Sequence, residues 1–181
     1  RGVEYSLAHK GESKDGPKNV LVIGSSTGYG LASRITAAFS FGAATVGGAY
    51  ERPSSGKRAA AAGGYNNAAF EKYAAKHSLP FASLNGDAFS DEMKVQTMEA
   101  IRKTMPGQKL DLIVYSAAAP KRTDPHTGET YSSVLKPIGK PYCEKSVDFH
   151  TGKISSVSLD PATEEEISAT IKVMGGEDWL M

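Results

Sequence analysis

VLVIGSSTGYGLASR, residues Val20 to Arg34, is the stretch whose reading decides the fold. Asn19 to Ile23 is an apolar, β-branched run, the composition of a strand buried on both faces of a parallel sheet. From Gly28 to Phe41 the apolar residues Leu31, Ile35, Ala38 and Phe39 return at helical spacing, and Gly42 supplies a stop. Between strand and helix lies Gly24-Ser25-Ser26-Thr27-Gly28-Tyr29-Gly30, a GxxxGxG loop. Such a loop suits a pyrophosphate: Gly24 permits a tight turn, Gly28 lets backbone approach the anion, and Gly30 lets helix and strand pack closely. The helix N-terminus turns unpaired N–H groups and a partial positive charge to the same place, and Ser25, Ser26 and Thr27 add hydroxyl donors. A glycine-rich turn without a ligand is the alternative, but it does not require strand, loop and helix in this order.

Outward from this segment the rhythm repeats. Ala44 to Tyr50 reads as a second strand, weakened by Gly47 and Gly48. A Ser/Gly/Ala loop follows, then a helix from about Asn66 to Lys76 and a third strand from Phe81 to Leu84. Ser90 caps a helix running to about Thr104 with Met93, Thr97, Met98 and Ile101 as its apolar face, and LDLIVY (Leu110 to Tyr115) is a fourth strand. This alternation specifies a parallel sheet covered on both faces and wound right-handedly. After Ala119 the pattern breaks, because Pro120, Pro125, Pro137, Pro141 and Pro161 exclude a long helix. DPHTGE (Asp124 to Glu129) and DFHTGK (Asp148 to Lys153) read as turns, the second at least closing a hairpin. Glu164 to Val173 is a last helix, begun by Thr163 and stopped by Gly175-Gly176.

The expected fold is therefore α/β, a Rossmann-like doubly wound parallel sheet of the short-chain dehydrogenase type with a small β-hairpin insertion after the fourth strand. Its expected parts are a polar lead-in over 1–16 with at most a short helical turn, βα repeats over 17–119, a Pro-rich insertion over 120–162 and a helix over 163–181. Sheets of this class usually carry six strands, so four read as the amino-proximal portion of something larger.

Composition narrows the partners. With 181 residues, 40% of them hydrophobic, the chain makes one ordinary domain and needs no disulfide or metal staple. The 21 Lys and Arg are interspersed with 20 Asp and Glu for a net charge of +1, which argues against a nucleic-acid partner. Cys143 is the only cysteine, so an intrachain disulfide and a Cys-based zinc site are excluded and a reducing compartment is favoured. His9, His77, His126 and His150 form no HxxxH or HxH pair, which argues against a metal site. The longest apolar runs are strand-length and the start, RGVEYSLAHKGESKDG, has no apolar segment, so the expectation is a soluble cytoplasmic protein without a membrane span.

Three positions complement the loop. Glu51 closes the second strand about 20 residues after Gly30, where an acid binds the adenosine ribose hydroxyls and repels a 2′-phosphate, favouring NADH over NADPH; Arg52 argues the other way. Asp87 either contacts the adenine edge or serves a turn or cap. Ser116-Ala117-Ala118 lets the nicotinamide-side ribose lie against backbone, although small residues also occur there for packing alone. A proton donor for such a cofactor is normally a tyrosine beside a lysine. Tyr65 and Lys72, Tyr5 and Lys14, and Tyr131 and Lys140 imitate such pairs. The first lies beneath the adenosine end, the second ahead of the first strand, and the third in a segment broken by Pro137 and Gly139. None is assigned.

The run from Pro17 to Asp178 resembles the FabV-type enoyl-acyl-carrier-protein reductases, also called trans-2-enoyl-CoA reductases. The resemblance is carried by GSSTGYGLASRITAAF (24–39), YNNAAF (65–70), NGDAFSDE (85–92), RTDPHTGETYSSVLKPIGK (122–140) and VMGGEDW (173–179). It implies NADH-dependent reduction of the carbon–carbon double bond of an enoyl-CoA or enoyl-ACP thioester in fatty acid synthesis, by a monomer. It implies cofactor contacts at Gly24, Ser25, Ser26, Thr27, Gly28, Tyr29, Tyr50, Glu51, Asp87, Ala88, Ala117 and Ala118. The family's catalytic Tyr-x8-Lys pair lies past the GGEDW segment, which sets Tyr131 and Lys140 aside and leaves these 181 residues alone inactive. The family patterns GVFFE, GWYN and SLA stand here as GGAYE (Gly47 to Glu51), Gly63-Gly64-Tyr65-Asn66 and Ser116-Ala117-Ala118. Each replaces a large apolar side chain by a small one, a change that costs about 2–5 kcal/mol in a packed position. Two other readings compete: a short-chain-type NAD(P) oxidoreductase acting on a carbonyl or alcohol, and a non-catalytic dinucleotide-sensing module.

Overall fold

Val20, Leu21, Val22 and Ile23 are all buried, as a run without a polar face must be. They belong to β1 (Asn19–Ile23), the centre of a parallel sheet with β2 (Ala44–Ala49) on one side and β4 (Leu112–Tyr115) on the other. β3 (Phe81–Asn85) lies beyond β2, giving the order β3-β2-β1-β4. This computed structural model describes residues 1–11 and 15–175, which divide into two compact units at the step from 117 to 118.

In the first unit the crossovers are α2 (Gly28–Phe41), α3 (Ala62–Lys76) and α4 (Asp91–Thr104). Successive strand side chains point to opposite faces, and β2 shows what covers each: Gly47 faces Arg34 of α2, Gly48 faces Met93 of α4. The sheet is doubly wound, as the alternation of elements specifies. Ser90 caps α4 as expected, its Oγ accepting from the Met93 N–H at 3.2 Å. The buried face of α4 is Met93, Thr97 and Ala100, not Met98, which is exposed. Met98 stands roughly 140° around the helix from Met93 and cannot share its face.

Several boundaries move. β2 stops at Ala49, so Tyr50 and Glu51 lie just past the strand and Tyr50 is exposed. α3 starts at Ala62, drawing the small residues before Asn66 into its first turn. β4 starts at Leu112, and just before it the Asp111 carboxylate accepts from the N–H groups of Lys18 and Asn19 at 2.7 and 2.9 Å. The lead-in is more than polar: α1 (Gly2–Ala8) buries Val3 with Ala38, Phe39, Phe70 and Ala74. Ser40 Oγ ties it down by donating to the Ser6 carbonyl at 3.0 Å.

In the second unit β5 (Lys121–Thr123) and β6 (Thr130–Ser132) form one antiparallel hairpin, β7 (Tyr142–Val147) and β8 (Ile154–Leu159) another. The two similar segments are indeed their turns. Asp124 Oδ1 accepts from the His126 and Thr127 N–H groups at 2.8 and 3.1 Å, and Asp148 Oδ1 from His150 and Thr151 at 2.8 and 3.2 Å. These backbone donors hold both carboxyls below their ordinary range. α5 (Glu164–Met174) opens with a capping box between Thr163 and Glu166 and ends at Gly175 in the left-handed region. The rest of the GGEDW segment lies outside the described residues.

Candidate functional site

The GxxxGxG loop leaves the carboxyl end of β1 and is pinned on both sides. The Gly24 and Ser25 N–H groups both donate to the Gly48 carbonyl, at 2.9 and 3.0 Å, and the Ser116 N–H donates to the Ile23 carbonyl at 2.8 Å. Gly24 has φ +83°, and a side chain there would run into the Ser116 carbonyl; one at Gly30 would run into the Gly24 carbonyl. Gly28 is the opposite case. Apart from its chain neighbours and the backbone of its own helix, nothing among the described residues stands within 4 Å of where its Cβ would be. Thr27, at the N-cap of α2, makes no side-chain capping bond among those residues, and Thr27, Gly28 and Tyr29 are exposed. An open backbone face at an uncapped helix start fits a pyrophosphate, which would meet N–H donors and the positive end of the helix.

The hydroxyls are disposed differently from the expectation. Ser25 is fully buried, and its Oγ has no hydrogen-bond partner among the described residues. It lies 2.7 Å from where a Gly47 Cβ would stand, on the inner side of the loop. Ser26 is buried as well, its Oγ donating to Glu51 Oε1 at 2.5 Å. Both serines therefore turn their hydroxyls into the protein; Thr27 alone of the three is exposed. A loop motif specifies backbone shape and not the rotamers of its polar side chains.

Glu51 stands beside the loop, held through its neighbours. Its N–H donates to Asn85 Oδ1 at 2.7 Å, and Asn85 Nδ2 donates back to the Glu51 carbonyl at 2.8 Å. Gly63, in the first turn of α3, leaves room for the carboxylate, since a Cβ there would overlap Glu51 Oε1. Asn66 Nδ2 donates to the Ser26 carbonyl at 2.9 Å, so α3 also grips the loop. Arg52 is committed elsewhere, its Nη1 donating to the Ala59 carbonyl at 3.2 Å. A cleft of about 380 Å³ opens here, lined by Glu51, Arg52, Tyr65, Asn67 and Asn85 among others.

Asp87 plays the turn role that the sequence left open. Its Oδ1 accepts from the Phe89 N–H at 3.0 Å, and its carbonyl accepts from the Ser90 N–H and Oγ at 3.0 and 2.8 Å. The strand ends thus bring the loop, Tyr50-Glu51 and Asp87-Ala88 to the carboxyl edge of the sheet, where doubly wound folds bind ligands. Ser116 and Ala117 follow β4 at the same edge; Ala118 begins the second unit.

Three residues that matter here had no role in the sequence reading. Asn66 and Asn85 sit in segments noticed only as family markers. Arg34 is fully buried on α2, donating to the Ala82 carbonyl at 2.6 Å, to Ser83 Oγ at 3.0 Å and to Thr45 Oγ1 at 3.4 Å, with its Cζ 4.0 Å from the Phe70 ring centre. Burial pushes its pKa down to about 10, opposed by Glu71, so it stays charged at neutral pH. The legible signal was Gly47: a glycine inside a strand marks a close approach, here of the guanidinium.

Of the tyrosine–lysine pairs, Tyr65 and Lys72 lie on α3, Tyr5 lies on α1, and Lys14 falls outside the described residues. Tyr131 OH donates to Glu129 Oε2 at 2.5 Å and receives a bond from Lys172 Nζ, not Lys140, at 3.4 Å. The Glu129 carboxylate pushes this phenol up, the opposite of what a proton donor needs. Cys143 is exposed with Ser158 Oγ at 3.3 Å. Among the described residues no cluster of three His, Cys, Asp or Glu is arranged to hold a metal, and no helix is long and apolar enough to cross a membrane.

Comparison with known proteins gives the family of the chain. Residues 2–56 match the model of the NAD(P)H binding domain of trans-2-enoyl-CoA reductase, and residues 58–181 match that of the trans-2-enoyl-CoA reductase catalytic region. The chain belongs to the trans-2-enoyl-CoA reductase family. It is 54% identical over 186 aligned residues to the trans-2-enoyl-CoA reductase (NADH) of Ruminiclostridium cellulolyticum, covering 99% of this chain and 47% of that one. It is 57% identical over 166 residues to an enoyl-acyl-carrier-protein reductase (NADH) of Coxiella burnetii, covering 92% and 41%. The crystal structure of Treponema denticola trans-2-enoyl-CoA reductase in complex with NAD matches with a TM-score of 0.89 and 51% identity, over 98% of this chain and 45% of that one. The chain therefore spans less than half the length of these relatives. The division between the two family models falls inside the parallel sheet: β1 and β2 lie in the first, β3 and β4 in the second.

Proposed function

We propose that this chain forms the NADH-binding part of a reductase acting on the carbon–carbon double bond of trans-2-enoyl thioesters, enoyl-CoA or enoyl-ACP, in fatty acid synthesis. The observation that carries the reading is the open, uncapped start of α2 with the Glu51 carboxylate tied to the same loop through Ser26. Bound NADH would supply a hydride for the β-carbon of the enoyl thioester. The backbone of Gly24 to Gly30 takes the pyrophosphate. Glu51 accepts from the adenosine ribose hydroxyls, while Tyr50 and Asp87-Ala88 flank the adenine end and Ala117-Ala118 the nicotinamide-side ribose. A charged acceptor makes the stronger kind of hydrogen bond. The same charge repels a 2′-phosphate and disfavours NADPH by roughly tenfold or more. No residue of these 181 is assigned the proton transfer. A monomeric state and a cytoplasmic location belong to the same reading.

Titration of the chain with NADH, wild type against Glu51→Ala, tests the site. A loss of about tenfold in affinity is expected, and unchanged affinity removes Glu51 from it. The chain alone should not turn over crotonyl-CoA; turnover at this length would show that a proton donor lies within it.

A further inference from the structure

We infer that Asn85 is a specificity-determining positioning residue: its carboxamide fixes Glu51 where that acid separates NADH from NADPH. The inference rests on the NADH reading of the site. The β2–β3 ladder ends with Ala49 opposite Asn85. Past that pair the strand is over, yet both main-chain groups of Glu51 are bonded, its N–H to Asn85 Oδ1 at 2.7 Å and its carbonyl to Asn85 Nδ2 at 2.8 Å. A carboxamide carries one acceptor and one donor on a single planar fork, the same pair that a peptide unit offers. Asn85 thus extends the sheet pairing beyond its last backbone bond, onto the residue that carries the acid.

The rest of the cradle then acts on the side chain. Ser26 Oγ donates to Glu51 Oε1 at 2.5 Å, and Gly63 leaves the space that the carboxylate fills. These contacts orient the carboxylate only if its Cα is already in place. The next restraint along the chain is the Ala61 N–H donating to the Arg52 carbonyl at 3.0 Å, one residue further on. Tyr50, on the other side, is exposed and past the end of β2. Freed from Asn85, Glu51 would accept ribose hydroxyls less often and repel a 2′-phosphate from a less defined position. The NADH advantage would therefore shrink. Asn85 is the exposed last residue of β3, so its replacement need not disturb the core.

The test is calorimetric titration of the 181-residue chain with NADH and with NADPH, for wild type, Glu51→Gln, Asn85→Ala and the double variant. Asn85→Ser, which keeps polarity at this surface position but cannot span the fork, stands in should the alanine variant not fold. Asn85→Ala is expected to weaken NADH about fivefold, the worth of one net hydrogen bond, and to change NADPH by less than about twofold. In the Glu51→Gln background the same change should leave the NADH-to-NADPH ratio unaltered, because the charge being positioned is gone. Equal losses for both nucleotides, or a ratio that shifts even without the Glu51 carboxylate, would show a merely structural role and overturn the inference. A silent Asn85 beside an effective Glu51→Gln removes Asn85 alone. A silent Glu51→Gln removes the site reading and the inference with it.

Discussion

Replacing Gly47 by alanine should be costly even though alanine ordinarily suits a strand better than glycine. The new Cβ would stand 2.5 Å from Arg34 Nη1, 2.6 Å from Cζ and 2.7 Å from Ser25 Oγ. Ordinary contact would require the guanidinium to retreat by about 1 Å. That stretches its bonds to the Ala82 carbonyl, now 2.6 Å, and to Ser83 Oγ, now 3.0 Å. A hydrogen bond from a charged donor contributes about 1.5–3 kcal/mol, and overpacking by one methyl costs about 1–3 kcal/mol. Against this, alanine for glycine in a strand returns about 0.5–1 kcal/mol. A net loss of about 2–5 kcal/mol follows. Arg34→Met should itself cost about 1–3 kcal/mol, by leaving Thr45 Oγ1, Ser83 Oγ and the Ala82 carbonyl without their donor. With the guanidinium gone the methyl has room, so the double variant should be less destabilised than the sum of the single ones by about 1–3 kcal/mol. Urea unfolding of the four proteins, followed by far-ultraviolet circular dichroism, measures this. A neutral or stabilising Gly47→Ala, or additivity within about 0.5 kcal/mol, would refute the packing argument.

The neighbouring glycine should behave differently: at Gly48 a Cβ would stand 3.1 Å from the Met93 methyl, the free end of a flexible side chain. Gly48→Ala is expected to stabilise the fold by about 0.4–1 kcal/mol in the same assay, and a loss larger than that gain would contradict it. In the second unit, Lys136 Nζ at 2.6 Å, and then the Thr163 N–H at 3.0 Å, hold the Glu166 carboxyl below its ordinary 4.5. Because the folded value is depressed, this contribution to the start of α5 is complete above pH 4.5 and is lost as the pH falls through the folded value. Lys136→Met should move the Glu166 midpoint, followed by NMR, upward towards 4.5, and an unmoved midpoint would rule out the ion pair as its cause.

Much of the fold was legible because local rules and tertiary structure agree. β1 has no polar face, so it can only be central; α2 runs from Gly28 to Phe41 with Gly42 as its left-handed cap, as periodicity and stop signal predict. The twin Asp-x-His-Thr-Gly turns and the Thr163 cap are likewise decided within a few residues, by side chains that bond their own backbone. Gly24 and Gly30 were readable for the same reason, since a positive φ and a close approach each exclude side chains.

What the tertiary structure decided is where polar atoms point and which distant residues meet them. Residue order places Ser25 and Ser26 in a phosphate-type loop, but β2 and Glu51 determine that their hydroxyls turn inward. Asn85 reaches Glu51 across 34 positions because the parallel strands β2 and β3 end side by side, and Arg34 reaches Ser83 across 49 because α2 lies on the sheet face where Gly47 leaves room for its guanidinium. Periodicity reports which face of an element is apolar. It carries no information about a hydrogen bond between two loops, whose partners are selected by strand order and register once the sheet has formed.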